Sequence, residues 1–358
     1  MGQYFDLMIV FLMAIVLVLI IMPVFRSLAI RFGLVDKPNA RKVHYTPVPL
    51  VGGATVFVAS LIAILINTEV ISNFSSLYPL LVGAAILLLV GIIDDRIDVR
   101  AIYKLAIQLA LAYYVFASDI RIDSLYGVFG IYEIPEFLQF FLTLVVVAGV
   151  VNAFNLTDGI DGLAAGLAIF GFIAFSVIAL LLNQLYLMVF FVAITGALLG
   201  FLRFNLSKHK KVFMGDAGSL VLGYILVVSA IMLLQQAQLI GYMRYTLATV
   251  LGILALPVID ALRVFRRRIK TGYSPFRPDK THLHHLILNF GVNHKFASAI
   301  IVSIAILILA LALVFGSYFS ITLSVIVILV AFGMISGFSQ LNNQMTIWHG
   351  KVEELEKQ

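Results

Sequence analysis

Acidic side chains are scarce in this 358-residue chain, 18 in all, and most of them gather in short polar stretches between long apolar ones. Asp94 and Asp95 are adjacent and are followed by Arg96, Asp98 and Arg100. The apolar stretch before them ends near residue 93, so both acids are expected at a helix C-terminus, whose partial negative charge disfavours them. Adjacent carboxylates also repel one another. Something positive must offset this. Arg96 and Arg100 would do so in a solvated loop; a metal ion or a phosphate-binding cation would do so in a site. Lys104, about two turns into the next helix, either snorkels to the interface or points at an anionic ligand. Asp98 precedes that helix and reads as its N-cap.

A second cluster is denser. Asn152, Asn155, Asp158, Gly159, Asp161 and Gly162 fall within eleven residues. Asp158 and Asp161, three apart, would share one face of a helix. A helix N-terminus favours carboxylates, so capping accounts for one of them. It does not account for two asparagines, two aspartates and two glycines together. Asp216 lies between Gly215 and Gly218, just after Phe213, and reads either as an N-cap or as part of a tight turn around a bound group. Further on, Arg266, Arg267 and Arg268 precede His282, His284 and His285. The arginines alone suit anionic lipid headgroups. Three histidines in four residues do not; they could bind metal or, equally, phosphate, since imidazole prefers transition metals. The stretch from Gly33 to His44 carries Asp36, Arg41 and His44, and alone is consistent with an interfacial linker.

Clustered carboxylates with Asn amides describe a hard oxygen-ligand site, hence Mg²⁺ or Mn²⁺. Lys, Arg and His beside them describe phosphate binding. The chain has no cysteine, which excludes disulfides, iron–sulfur clusters and thiolate zinc sites. At a membrane–cytosol boundary the combination implies phosphoryl transfer between a nucleotide-type donor and a lipid phosphate. A metal would neutralise the pyrophosphate and leaving group. Residue chemistry does not identify the sugar.

The elements that must position these residues are membrane spans. Hydrophobic residues make up 62% of the chain and charged ones 12%, against roughly 45–50% and 25% in soluble domains. A water-soluble enzyme and a disordered chain are both excluded. Apolar stretches lie near 5–25, 50–67, 77–93, 101–117, 137–154, 160–182, 186–204, 216–234, 244–263, 296–316 and 320–338. The expected fold is an all-α polytopic membrane protein of about eleven transmembrane helices. The stretch at 244–263 is the least regular, because it carries Pro257, Asp260 and Arg263. The first stretch lacks a basic leader, so it reads as a span and not as a cleavable signal. With the N-terminus outside, every Lys and Arg except Arg121 and Arg244 falls on the cytoplasmic side, as do all seven histidines. The C-terminus is then cytoplasmic, and all the clusters above share the cytoplasmic face. The net charge of +6 thus reports membrane orientation and not nucleic-acid binding. Residues 1–340 read as one integral membrane catalytic domain and 341–358 as a polar tail with a short helix at 351–357. The rival class is an organic-phosphate transporter. Transporters place ionisable groups near the bilayer midplane, whereas these carboxylates sit at the ends of spans.

In this order and on one face, five stretches resemble the polyprenyl-phosphate N-acetylhexosamine-1-phosphate transferase family: Gly33 to His44, Asp94 to Lys104, Asn152 to Ala164, Phe213 to Leu220, and Pro275 to His285. The likeness covers nearly the whole chain. The histidine run after a triple arginine is similar to the WecA/TagO branch rather than to MraY; the eukaryotic dolichyl-phosphate enzyme is a further relative. The resemblance implies transfer of N-acetylhexosamine 1-phosphate, GlcNAc-1-phosphate first, from a UDP-sugar to polyprenyl phosphate with Mg²⁺, releasing UMP. It also implies a multi-pass bacterial cell-membrane enzyme that forms a homodimer and starts a surface glycan. UDP-MurNAc-pentapeptide and 6-deoxy-N-acetyl sugars remain as alternative donors. By resemblance, Asp94, Asp95 and Lys104 are catalytic, with Asp94 positioning or deprotonating the lipid phosphate, and Asp216 with Asn155 holds the metal. Phe213 corresponds to the aromatic residue that stacks on uracil. Asp158 and Asp161 belong to the nucleotide motif, Asp36, Arg41 and His44 to the first loop, and Arg268, His282, His284 and His285 to the diphosphate–sugar loop.

Overall fold

A computed structural model describes the backbone of residues 2–36, 47–274, 279 and 281–356, and side chains between residues 5 and 342 within those ranges. Arg41 and His44 lie outside the described residues. Each of the eleven apolar stretches folds as a helix. These are α1 (Gly2–Phe32), α2 (Gly52–Ile64), α4 (Phe74–Ile97), α5 (Ala101–Ala117), α6 (Glu136–Asn155), α7 (Leu163–Leu181), α8 (Leu185–Asn205), α9 (Gly215–Ile240), α10 (Met243–Lys270), α12 (His294–Tyr318) and α13 (Ile321–Glu356). Two short helices, α3 (Thr68–Ser72) and α11 (Leu283–Leu288), join them. Among the described residues nine helices are long and apolar enough to cross a bilayer; α2 and α5 are shorter. A polytopic membrane protein is the architecture these lengths describe.

Several boundaries differ from the sequence expectation. The C-terminal polar residues do not form a separate short helix but continue α13 to Glu356. α4 runs past residue 93 to Ile97, so Asp94 and Asp95 sit in its last turn and not beyond it. Asp98 caps the C-terminus of α4 and not the N-terminus of α5: its φ is 55° and its N–H donates to the Asp94 carbonyl. A short aspartate tolerates that left-handed conformation. Two small antiparallel ribbons, hidden from periodicity by their length, complete the fold. β1 (Val35–Asp36) pairs with β2 (Val48–Pro49), and β3 (Ser124–Val128) with β4 (Ile131–Glu133).

α9 is the central helix. Its membrane-length segment is wholly buried, whereas a third or less of the corresponding segments of α1, α12 and α13 is buried. α4 and α6 flank α9, and α2, α7 and α10 close around it. Small residues permit this. A Cβ on Gly53 would strike the backbone of Gly218, and one on Gly91 the backbone of Ala217. Lipid tails are as apolar as Leu, so helix association in a bilayer depends on such close packing and not on a hydrophobic drive. Further along, Tyr224 is fully buried over Gly83, and its hydroxyl donates to the Pro79 carbonyl at 3.1 Å.

The N-terminal end of α9 is stitched to the segment before α2. The Phe213 N–H donates to Pro49, while Gly52 and Gly53 donate to the carbonyls of Phe213 and Met214. The chain leaving β2 therefore fixes where α9 begins. Gly91→Val should force α4 away from α9. Overpacking of this kind costs about 1–3 kcal/mol, to be read as a lowered melting temperature of the detergent-purified protein, with a smaller loss for Gly333→Val, where the added atoms meet open space.

Candidate active site

The first turn of α9 gathers carboxylates from other elements. Gly215 takes a φ of +75°, a conformation glycine adopts freely. It turns the chain so that three successive N–H groups face outward from the helix end. Asp95, from α4, accepts from Asp216 at 2.9 Å and from Ala217 at 3.3 Å. Asp158, from the turn between α6 and α7, accepts from Gly215. Asp95 thus caps α9 in place of Met214, which occupies the N-cap position and has no side-chain bond.

Lys104 supplies the cation that the Asp94–Asp95 pair required. Its ammonium lies 2.5 Å from Asp94 Oδ2 and 3.4 Å from Asp216 Oδ2. Asp94 is buried, and its other oxygen accepts from the Val99 N–H at 2.7 Å. Asp216 is the more open partner, with 36% of its side chain exposed. Asn155 donates its amide to Asp216 Oδ1 at 3.0 Å and to Ser219 Oγ at 2.9 Å. In this arrangement Asn155 presents nitrogen to Asp216 and orients it. Beneath, Gln108 and Asn152 are amide partners across α5 and α6. Gln108 is one turn beyond Lys104 and buried; amphipathic reading alone gives no reason to single it out.

Asp158 and Asp161 do not share a helix face, because residues 156–162 form turns and α7 starts only at Leu163. The two acids diverge. Asp158 faces the carboxylates. Burial, then the charges of Asp216, Asp95 and Asp161, push its carboxyl well above the usual range. Asp161 pairs with Lys211 at 2.7 Å, and its backbone carbonyl accepts from Ser298 on α12. Lys211 also lies over the Phe213 ring, 5.2 Å from its centre. Phe213 therefore sits at the edge of the site with a cation on one face. Asp36 lies in the β1–β2 ribbon, half-buried.

The histidine segment reaches the same place from the other side. The His284 ring packs on Gly159, where a Cβ would collide with it. Burial and the neighbouring His285 and His282 push its pKa down to about 3, so it is a neutral imidazole. His285 lies 4.2 Å from His284, ring centre to ring centre. Arg268 is buried and forks onto Asp279, with both bonds at 3.1 Å. That arginine in turn holds Asp279 at about 2, low in the carboxylate range although burial opposes it. Asp260, noted in the sequence only as an irregularity in its span, bonds His282 and Arg263.

Among the described residues no three His, Asp or Glu side chains form a ready-made metal cage. Magnesium does not need one, because it usually takes one or two carboxylates and completes its shell with substrate phosphates and water. Asp94, Asp95, Asp158 and Asp216 crowd together, and Lys104 is the one cation bonded to them among the contacts described here. The donor set fits a hard divalent ion, for which the partly open Asp216 would be the foremost ligand.

The sequence profile of glycosyl transferase family 4 matches residues 77–234. A probable undecaprenyl-phosphate N-acetylglucosaminyl 1-phosphate transferase of Bacillus subtilis (strain 168) is 31% identical over 315 residues, which is 87% of this chain and 85% of that protein. The undecaprenyl-phosphate alpha-N-acetylglucosaminyl 1-phosphate transferase of Yersinia pestis is 34% identical, over 81% of this chain and 79% of that one. The protein of the same name from Escherichia coli (strain K12) is also 34% identical, over 79% and 77%. The chain belongs to this transferase family. The matched family 4 segment runs from α4 through most of α9. It contains the whole carboxylate cluster with Lys104, Asn155 and Phe213.

Burial among like charges makes ionised Asp158 costly to the ligand-free fold. A raised folded-state pKa means its contribution to stability is complete below the ordinary carboxylate range and is lost as pH rises through the raised value. Asp158→Asn mimics the neutral form. It should raise the melting temperature at pH 7.5 by a few degrees, change it little at pH 4, and reduce turnover at least tenfold.

Proposed function

We propose that this family 4 transferase moves N-acetylglucosamine 1-phosphate from UDP-N-acetylglucosamine to undecaprenyl phosphate on the cytoplasmic face of the bacterial cell membrane, with Mg²⁺ as cofactor. The observation that carries the reading is the Lys104 bridge between Asp94 and Asp216 at the end of the central helix, in a chain whose relatives are named for this acceptor and this sugar phosphate. Carboxylates gathered at helix ends suit a reaction at the membrane surface better than passage through it.

The chemistry asks little base strength of the protein. A phosphate monoester has a second pKa of about 6, so the lipid phosphate arrives largely as the dianion. One of its oxygens attacks the phosphorus that bears the sugar, the bond joining the two phosphates of the donor breaks, and UMP leaves with the electron pair. Asp94, held by Lys104 and the Val99 N–H, is placed to take any remaining proton from the acceptor. Lys104 brings positive charge to the incoming phosphate, and Asn155 keeps Asp216 turned toward it. Asp216 would hold Mg²⁺, which when bound would supply neutralisation of the diphosphate charge. Neutral His284 offers a hydrogen bond to the sugar or phosphate without adding charge.

Lys104 is a poor first target. Removing one partner of a buried pair leaves an uncompensated charge costing about 3–5 kcal/mol, so a loss of activity there would mix folding with chemistry. Asp216 is the cleaner probe. The purified protein should release UMP from UDP-N-acetylglucosamine only when both undecaprenyl phosphate and Mg²⁺ are present. Asp216→Asn should lower that rate at least a hundredfold with the protein still folded, and a rate within a few-fold of the wild type would remove Asp216 from the metal site. Little or no turnover with UDP-MurNAc-pentapeptide or 6-deoxy donors is expected in the same assay; faster turnover with either would reassign the sugar.

Orientation has its own test, made convenient by the absence of native cysteine. In intact cells a membrane-impermeant maleimide should label Phe129→Cys, in the β3–β4 ribbon, and should label His209→Cys only after permeabilisation. The reverse pattern would place the site outside.

A further inference from the structure

One buried carboxylate is not used by the chemistry above. Asp260 lies on α10, within a membrane-length helix, with 8% of its surface exposed. A charge at such a position is kept only when it is paired. Its Oδ1 accepts from Arg263 at 2.6 Å and from the Leu283 N–H at 3.1 Å, and its Oδ2 lies 2.9 Å from His282 Nδ1. The same Arg263 nitrogen donates to the Thr281 carbonyl at 2.6 Å. Three consecutive residues, Thr281, His282 and Leu283, are therefore fixed by one aspartate and its arginine.

We propose that Asp260 is the positioning residue of the histidine loop, acting through His282. Its carboxylate requires a proton on His282 Nδ1, and the ring's Nε2 faces the Arg268 guanidinium, 3.5 Å away. Arg268 is thereby shared between His282 and the Asp279 fork. From the anchored Thr281–Leu283 segment, α11 starts in the register that lays His284 on Gly159, beside Asp158. The ring planes of His282 and His284 are nearly parallel, with an angle of 4°, so the orientation of the first ring is carried to the second. Asp260 touches no substrate; it sets the ring that does. The proposal rests on the phosphotransfer reading only for what the positioned loop is used for.

The test combines turnover with a spectroscopic signature. Asp260→Asn, His282→Gln and the double variant are compared in the UMP-release assay, alongside their melting temperatures. Each single variant should lose about thirtyfold or more in kcat, with the KM for undecaprenyl phosphate within twofold of wild type. The double variant should lose no more than about threefold beyond the worse single one, because both break one linkage. Losses that multiply, or that follow only the folded fraction, would overturn the proposal. In ¹⁵N-histidine spectra of the wild type, one of the seven histidines should show the Nδ1–H form and vanish in His282→Gln. Asp260→Asn should convert it to a tautomer mixture; an unchanged signal would also overturn the proposal. If the wild type releases no UMP yet shows this signature, the functional reading fails and the positioning stands. Should Asp260→Asn fail to fold, Arg263→Gln removes the Thr281 support together with the arginine's own bonds to Asp260, leaves the Asp260–His282 contact in place, and carries the same measurements, with a smaller loss of the same kind expected.

Discussion

The N–H groups of Gly215, Asp216 and Ala217 have no partners inside their own helix, and two of the chain's aspartates come from elsewhere to meet them. A helix N-terminus carries about half a positive charge. In a water-filled cleft that field would be modest; at the end of a wholly buried helix it is the principal fixed counter-charge available besides Lys104. It draws Asp95 from α4 and Asp158 from the turn after α6, and so brings three separate parts of the chain to one point. The cost of gathering acids is then met in two ways, by backbone amides for Asp95 and Asp158 and by an ammonium for Asp94 and Asp216. What is left over is negative charge at the partly open Asp216. The same arrangement ties the site together without disulfides: a shift of α9 would break bonds to α4, to the 156–162 turn and to the segment before α2.

Much of this was legible in the residues themselves. The spans follow from length and apolarity, and Asp94, Lys104, Asn155, Asp158 and Asp216 stood out because polar residues in an apolar chain need a reason. Partners separated by a hundred residues were not legible. Asp95 reads as one half of a catalytic pair and proves to be the cap of a helix that starts 120 positions later. Asp98 looks like the cap of the helix after it and closes the helix before it, since the deciding quantity is a backbone angle. Asp161 has the same type and spacing as Asp158, yet Lys211 turns it away. Gln108 gave no signal and Asp260 only an irregularity in its span: a lone polar residue inside a span is an anomaly until its partner is known.

Two polar networks meet at Gly159 and they are built on different principles. The carboxylate network is under-neutralised and open at Asp216. The network around Asp260 runs from Arg263 through Asp260 and His282 to Arg268 and Asp279, matching two arginines with two aspartates, and closes through Thr281, which donates to Asp279 and accepts from Arg263. A closed network inside a span gives fixed geometry at little net charge. An open one gives binding energy. The position of His284 on a glycine of the opposing loop is where the fixed network presents itself to the reactive one.

The glycine contacts of the central helix have a consequence for how such an enzyme can diversify. Where Gly53 meets Gly218 and Gly91 meets Ala217, the helices already touch backbone to backbone. The floor of the site can neither narrow nor, without losing its packing, widen. Room for a bulkier or a smaller sugar has to be found above that floor, in the turn after α6 and the loop after α10. Lineages that change donor should therefore carry their substitutions in those two connections, while the helices beneath them behave as a fixed gauge.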